Sequence, residues 1–402
     1  NRKDIGNFYL SNYERVLELY QFYNESLLNE SSLELKDIYW FLLLRKYLKQ
    51  KVDVFREDYL NFIKSCEVEI IEKDHLGFKF SPNALKKPDI WSSYYALASL
   101  ELLGILNEYL SSKGNGVIVR QIKNFLYAHK KNNGFLHCLD KSCEECNVGP
   151  VVKTFYFVTE SLLLIGIDVR AFKEQFRSYL KERKKDSSIL YKLLSLKFFE
   201  LDSEVRDKEI QFLYQFQKEN GGFSFFYEDG DIDTTFWVTN ILHIYSWLID
   251  YNPARIYSFI TEILDYIFRE TTGWNLTILR EVTQLVIILS IIWNRFIEEI
   301  ERVIFKHLET SNFIDLNKIK NTFGISHGLE EIVLYINLNY TFTLKKVDKT
   351  LEFNQYLLNL TQGKKVIIQE IYDQLSNNSI VSLSDIFKKY RGSYHQETLK
   401  LR

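Results

Sequence analysis

The residues best equipped for chemistry in this 402-residue sequence are Asp231-Ile232-Asp233-Thr234-Thr235. Two carboxylates stand two positions apart beside two hydroxyls, with Phe236-Trp237 following. Three readings are open for such a group. One carboxyl can work as a proton donor, an Asp or Thr can cap a helix N-terminus, or the acidic cluster, with Glu228 and Asp229, can hold a cation. The surrounding sequence separates Asp233 from the rest. Asp89-Ile90-Trp91-Ser92-Ser93-Tyr94-Tyr95 repeats the pattern of Asp-Ile, hydroxyl pair and aromatic pair, but with Trp91 in third place. A looser copy, Val151-Val152-Lys153-Thr154-Phe155-Tyr156-Phe157, has Lys153 there. A structural repeat accounts for Asp231 and the hydroxyls and leaves Asp233 unexplained, so Asp233 is the leading candidate for a chemical role. Tyr227, Phe236, Trp237 and Trp91 are the candidate aromatic substrate contacts.

A second constellation crowds one loop: His137, Cys138, Cys143 and Cys146, the last two at metal-ligand spacing. A zinc site needs four ligands, and adjacent residues rarely both serve. Thiols in a loop are the ordinary reading and a structural metal is the alternative. No Gly-rich phosphate loop, His-Glu-x-x-His helix or Ser-His-Asp arrangement stands out.

The elements that must position these residues are helical. Only four prolines interrupt the chain, and long amphipathic stretches dominate. Gly77-Phe78, Gly134-Phe135, Gly222-Phe223 and Gly273-Trp274 recur at intervals of roughly 50 residues, or about twice that where one pair is missing. Each precedes a strongly apolar segment, and weaker copies begin at Asp37 and Ser188. The pattern predicts about six helical hairpins. The inner helices, apolar nearly all round, should begin near Asp37, Asp89, Thr154, Ser188, Asp231 and Glu281. The glycines are expected as left-handed residues ending the amphipathic outer helices. The fold class is therefore all-α, an α/α toroid of two concentric helix rings over residues 1–300. Residues 301–402 are expected as a C-terminal helical extension that stands apart or completes the toroid.

A net charge of −2 gives no reason to expect nucleic acid as a partner. Four cysteines in so long a chain suit a reducing compartment. No leader opens the sequence, and the most apolar run is too short to span a bilayer. A cytoplasmic, non-transmembrane protein is expected; peripheral membrane contact and the oligomeric state stay open.

The phased Gly-aromatic pairs, with Trp91 to Gly104 and Gln217-Lys218-Glu219-Asn220-Gly221-Gly222-Phe223, resemble the toroid shared by protein prenyltransferase β subunits and terpenoid cyclases. The resemblance covers roughly residues 30–300. In the prenyltransferases an Asp-x-Cys pair and a His bind zinc. Asp231 matches the Asp, but Asp233 replaces the Cys and the His position falls near Val282. Phe225 and Glu228 stand where that family holds the diphosphate with Arg and Lys. The resemblance thus implies no metal at Asp231 and Asp233. Asp231-Ile232-Asp233-Thr234-Thr235 instead resembles the Asp-x-Asp-Thr-Thr motif of some class II, proton-initiated terpene cyclases. That implies cyclisation of a linear isoprenoid with Asp233 as general acid. Asp231 would raise its proton affinity by like-charge coupling, and Thr234 or Thr235 would hold its rotamer. No cofactor is certain; Mg2+ would accompany a diphosphate substrate. The alternative is a zinc-lacking prenyltransferase-like protein that transfers a prenyl group or only binds a lipid or protein partner.

Overall fold

The computed structural model describes residues 13–292, apart from 49, 51–55, 141–142, 144–148, 183–188, 202–206, 246–252 and 271–272, together with 343–345 and 380–382. The main helices are α1 (Tyr13–Ser26), α2 (Leu35–Tyr47), α3 (Arg56–Ser65), α4 (Ile90–Leu102), α5 (Leu106–Ser111), α6 (Val117–Ala128) and α7 (Val152–Leu164). They continue as α8 (Lys173–Glu182), α9 (Ile189–Phe198), α10 (Asp207–Tyr214), α11 (Ile232–Ile244), α12 (Pro253–Glu270) and α13 (276–292). The described strands form three short antiparallel pairs: β1 (Glu67–Ile70) with β2 (His75–Phe78), β3 (Lys130–Lys131) with β4 (Gly134–Phe135), and β5 (Thr343–Lys345) with β6 (Ile380–Ser382).

Six helices close into an inner ring. α2 packs on α4, α4 on α7, α7 on α9, and α9 on α11. α13 completes the circle. Its Gln284 and Arg280 reach Asp233 on α11, and its Thr283 hydroxyl donates to the Trp40 carbonyl on α2 at 3.5 Å. The single ring of helices within helices is the expected α/α toroid. Inner α4 is buried on all sides, from Ile90 through Ser92, Ser93, Ala96 and Leu97 to Leu100. Outer α6 buries one stripe, Ile118, Ile122, Phe125 and Leu126 with Gln121. Each of those apolar side chains contributes about 1.5–3 kcal/mol by leaving water, and their spacing of three and four is that of one helix face.

The same hydrogen-bonded staple fastens two repeats. The Asp89 N–H donates to the Phe78 carbonyl, and the Phe78 N–H donates to Ser93 Oγ, which itself donates to the Asp89 carbonyl at 2.8 Å. The Asp231 N–H donates to the Phe223 carbonyl, the Phe223 N–H donates to Thr235 Oγ1 at 2.8 Å, and Thr235 Oγ1 donates to the Asp231 carbonyl at 2.6 Å. The repeated Asp and second hydroxyl are thus the fasteners between a Gly-Phe pair and the inner helix that follows.

Three expectations need correction. Gly77, Gly134 and Gly222 are not left-handed. Their hydrogens face a neighbour: an added Cβ would lie 2.6 Å from the Phe125 ring, 2.5 Å from Pro150 and 2.7 Å from the Phe259 ring, respectively. Two of the left-handed glycines, Gly104 and Gly166, end inner helices instead, where the following residues close the turn back onto Leu100 and Leu162. Two helix starts also move. Glu34 caps α2, with Asp37 as the reciprocal acceptor from the Glu34 N–H at 3.0 Å. Asn275, not Glu281, caps α13 by accepting from the Ile278 N–H at 3.0 Å. The start at Ser188 lies outside the described residues, as does all of 301–402 except β5 and β6. No helix among the described residues is long and apolar enough to cross a membrane.

Candidate functional site

The N-terminal ends of the inner helices carry the candidate residues. Asp231 is the N-cap of α11, its carboxylate accepting from the Thr234 N–H at 2.7 Å, as Asp89 accepts from the Ser92 N–H at 2.9 Å. Thr234 and Thr235 are buried, and Thr235 is committed to the staple. Asp233 turns the other way. Its side chain is 54% exposed and meets two donors: Arg280 Nη2 at 2.9 Å on one oxygen and Gln284 Nε2 at 2.7 Å on the other. Both partners come from α13, so Asp233 also pins the helix that closes the ring.

Below that rim an aromatic wall runs round the lumen side of the inner helices. Lys153 Nζ of α7 sits 3.8 Å from the centre of the Trp91 ring of α4 and 5.8 Å from that of Tyr191 on α9. Tyr191 meets Trp237 of α11 at 5.2 Å. Tyr39 of α2 meets Tyr95 of α4 at 5.3 Å, and Tyr95 meets Phe157 of α7 at 5.9 Å. Tyr39, Trp91, Tyr95, Tyr191 and Trp237 lie on the inner ring and are half-buried. Burial raises the Tyr39 phenol to about 12. Burial likewise raises Tyr95 and Tyr191, and the Asp233 charge adds to each. Deeper in, the Tyr156 hydroxyl donates to Glu160 Oε1 at 2.7 Å, and burial raises the Glu160 carboxyl.

The four aromatic candidates separate. Trp91 and Trp237 belong to the wall. Phe236 is buried against Trp40, with ring centres 5.6 Å apart. Tyr227 is 66% exposed on the loop before α11. Sequence reasoning missed Arg280, Gln284, Tyr39, Tyr95 and Tyr191. Only the aromatic pair after each repeated hydroxyl pair hinted at Tyr95, and nothing local marked Arg280 and Gln284. Two donors at the rim have no partner among the described residues and are buried: Trp91 Nε1 and Arg280 Nε. The second loop cluster also assembles. His137, Cys138 and Cys143 bring one ligand atom each within 4.8 Å of the others, whereas Cys146 lies outside the described residues.

A family comparison agrees with this architecture. The family described as "Prenyltransferase alpha-alpha toroid domain" matches residues 12–182 and 169–330. No curated protein matches the sequence. Among solved structures, Candida albicans protein geranylgeranyltransferase-I complexed with GGPP aligns at 15% identity and a TM-score of 0.29. That alignment covers 65% of this chain and 66%, just under two thirds, of the other. Neither comparison singles out the terpenoid cyclases within the fold. With its family match spanning most of the sequence and its ring of six inner helices closed by α13, the chain belongs to the prenyltransferase α/α-toroid family.

Proposed function

We propose that this chain takes a linear isoprenoid into its aromatic lumen and cyclises it, with Asp233 as the proton donor. The observation that carries the reading is the aromatic wall from Tyr39 to Trp237 with the Asp233 carboxyl at its rim. A hydrocarbon chain gains about 25 cal/mol for each Å2 it removes from water against such a wall. A carbocation formed there is stabilised by the π faces and kept from water.

A prenyl diphosphate fits better than a plain hydrocarbon. Arg280 presents its buried, unpartnered Nε at the rim, and Lys153 supplies a second positive charge there. Both Asp233 oxygens accept hydrogen bonds, one from Arg280 and one from Gln284. A diphosphate that draws the guanidinium away frees Asp233 to take up the proton it must deliver. The proton then passes from the Asp233 carboxyl to the terminal alkene carbon, and a tertiary carbocation forms. The cation closes on a second alkene, and loss of a proton from carbon ends the sequence. The diphosphate stays intact and the product is an isomer of the substrate. Exposed Glu228 and Asp229, on the loop before α11, are hard oxygen donors of the kind Mg2+ prefers, and the ion would neutralise diphosphate charge there. A cytoplasmic location goes with the proposal, since no step needs an oxidising compartment.

The test is product analysis by mass spectrometry with farnesyl diphosphate, geranylgeranyl diphosphate and squalene. We expect a cyclic isomer from wild type, none from Asp233→Asn, and a partial loss from Asp231→Asn. Full turnover by Asp233→Asn removes the assigned acid. Failure of wild type to convert any of the three removes cyclisation.

A further inference from the structure

His137, Cys138 and Cys143 lie between β4 and α7, beside the start of α4 and away from α11, which carries Asp233. Their ligand atoms fall within 4.8 Å of one another, and Cys143 Sγ stands 3.9 Å from His137 Nδ1. In a tetrahedral zinc site with Zn–S of about 2.3 Å and Zn–N of about 2.0–2.1 Å, such donors are roughly 3.6–3.8 Å apart. The Cys143–His137 pair is a few tenths of an ångström longer than that, and the rest need a contraction of roughly 1.2 Å or less. The objection that adjacent residues cannot both ligate is met by the backbone. The chain bends at His137 and again at Leu139, so His137 and Cys138 do not alternate as they would in a strand.

The second observation is what the other ring nitrogen does. His137 Nε2 faces Asp89 Oδ1 at 3.4 Å, while Nδ1 faces the cysteine. A carboxylate on the far nitrogen fixes the tautomer and orientation of a ligating histidine and strengthens it as a donor. Asp89 is itself rigid, since it caps α4 through the Ser92 N–H and accepts from Ser92 Oγ at 2.6 Å. The Ile90 N–H also donates to the His137 carbonyl at 3.0 Å, which ties the loop to the start of α4. On its other side His137 packs on Trp91, ring centres 4.3 Å apart, so the cluster abuts the aromatic wall.

We propose that His137, Cys138 and Cys143 bind one divalent cation of the zinc class through His137 Nδ1 and two thiolates, with Asp89 as the positioning carboxylate. Soft sulfur with imidazole selects zinc over magnesium or calcium. Each thiol gives up its proton on binding, and no electron moves. Three protein ligands leave a fourth position for water or a further donor. The site is independent of Asp231 and Asp233 and does not rest on the isoprenoid reading.

The test uses the full chain. After chelation, the protein is incubated with zinc, freed of excess, and analysed for metal content. Cobalt substitution reads the ligand set through thiolate charge-transfer and tetrahedral d–d absorption. We expect one equivalent of zinc in wild type and in Asp233→Asn, and none in His137→Ala or Cys143→Ser. Asp89→Asn keeps the α4 cap but removes the carboxylate, and should weaken zinc binding about 10–100-fold without abolishing it. If the ligand variants misfold by circular dichroism, the wild-type cobalt spectrum decides. A tetrahedral thiolate spectrum supports the site, and an octahedral or absent one overturns it. Zinc that persists in Cys143→Ser, or that is lost in Asp233→Asn, overturns it as well.

Discussion

Thr235→Val is a close test of what the Asp-Thr-Thr hydroxyls are for. Valine matches threonine in shape, so packing at this fully buried position is kept. The hydroxyl accepts from the Phe223 N–H at 2.8 Å and donates to the Asp231 carbonyl at 2.6 Å, with the Phe223 carbonyl as a second, longer acceptor at 3.4 Å. The Asp231 carbonyl keeps a partner in the variant, because the Thr235 N–H also donates to it at 3.0 Å. The buried Phe223 N–H loses the hydroxyl as its acceptor. Loss of the acceptor of a buried donor costs about 1–3 kcal/mol. For a domain of this size, a melting shift of roughly 2 °C per kcal/mol converts that to about 2–6 °C. Ser93 does the same work for Phe78, so Ser93→Ala should cost a similar amount although it lies far from Asp233 in the sequence. Urea titration and thermal melts of the two variants and of Thr235→Ser are the assay. Thr235→Ser should recover most of the loss. A Thr235→Val protein as stable as wild type would refute the staple and return Thr235 to a purely chemical role.

Gly222→Ala should lose about 1–3 kcal/mol in a denaturant titration, since its Cβ would stand 2.7 Å from the Phe259 ring, whereas Gly273→Ala meets nothing within 4 Å and should be neutral or slightly stabilising. Burial pushes the Asp37 carboxyl up to about 6. The folded state then holds that proton more tightly than the unfolded chain does. The stabilisation is full below about pH 4 and lost as pH rises through 6, on the order of 2–3 kcal/mol at about 1.4 kcal/mol per unit. Asp37→Asn, which can still accept from the Glu34 N–H, should flatten that slope in melts taken between those pH values.

How much could be read in advance divides by distance along the chain. The caps at Asp89 and Asp231 are local chemistry, because each acceptor serves an N–H three residues on, and the repeat announces them. The six inner helices were legible because an all-round apolar helix must be enclosed. The partners of Asp233 were not, since Arg280 and Gln284 arrive from 47 and 51 residues away only when the ring closes. The glycines were found for the wrong reason. Their constraint is set by rings on the next outer helix, such as Phe125 and Phe259, which no rule of local backbone preference includes. Lys153 stood out as the odd third residue of its repeat, but its seat on Trp91 depends on α4 and α7 being ring neighbours.

The central claim is that the lumen is an isoprenoid site with its polar end at the rim. A crystal structure with a non-hydrolysable geranylgeranyl diphosphate analogue tests it most directly. The account predicts the hydrocarbon against Tyr39, Tyr95, Tyr191 and Trp237, the diphosphate on Arg280 and Lys153, and the Arg280–Asp233 pair opened. An analogue bound elsewhere, as in the groove of about 520 Å3 between α1 and α3 lined by Asn24, Leu28, Tyr59 and Phe62, or a lumen that stays empty at saturating analogue, would contradict it.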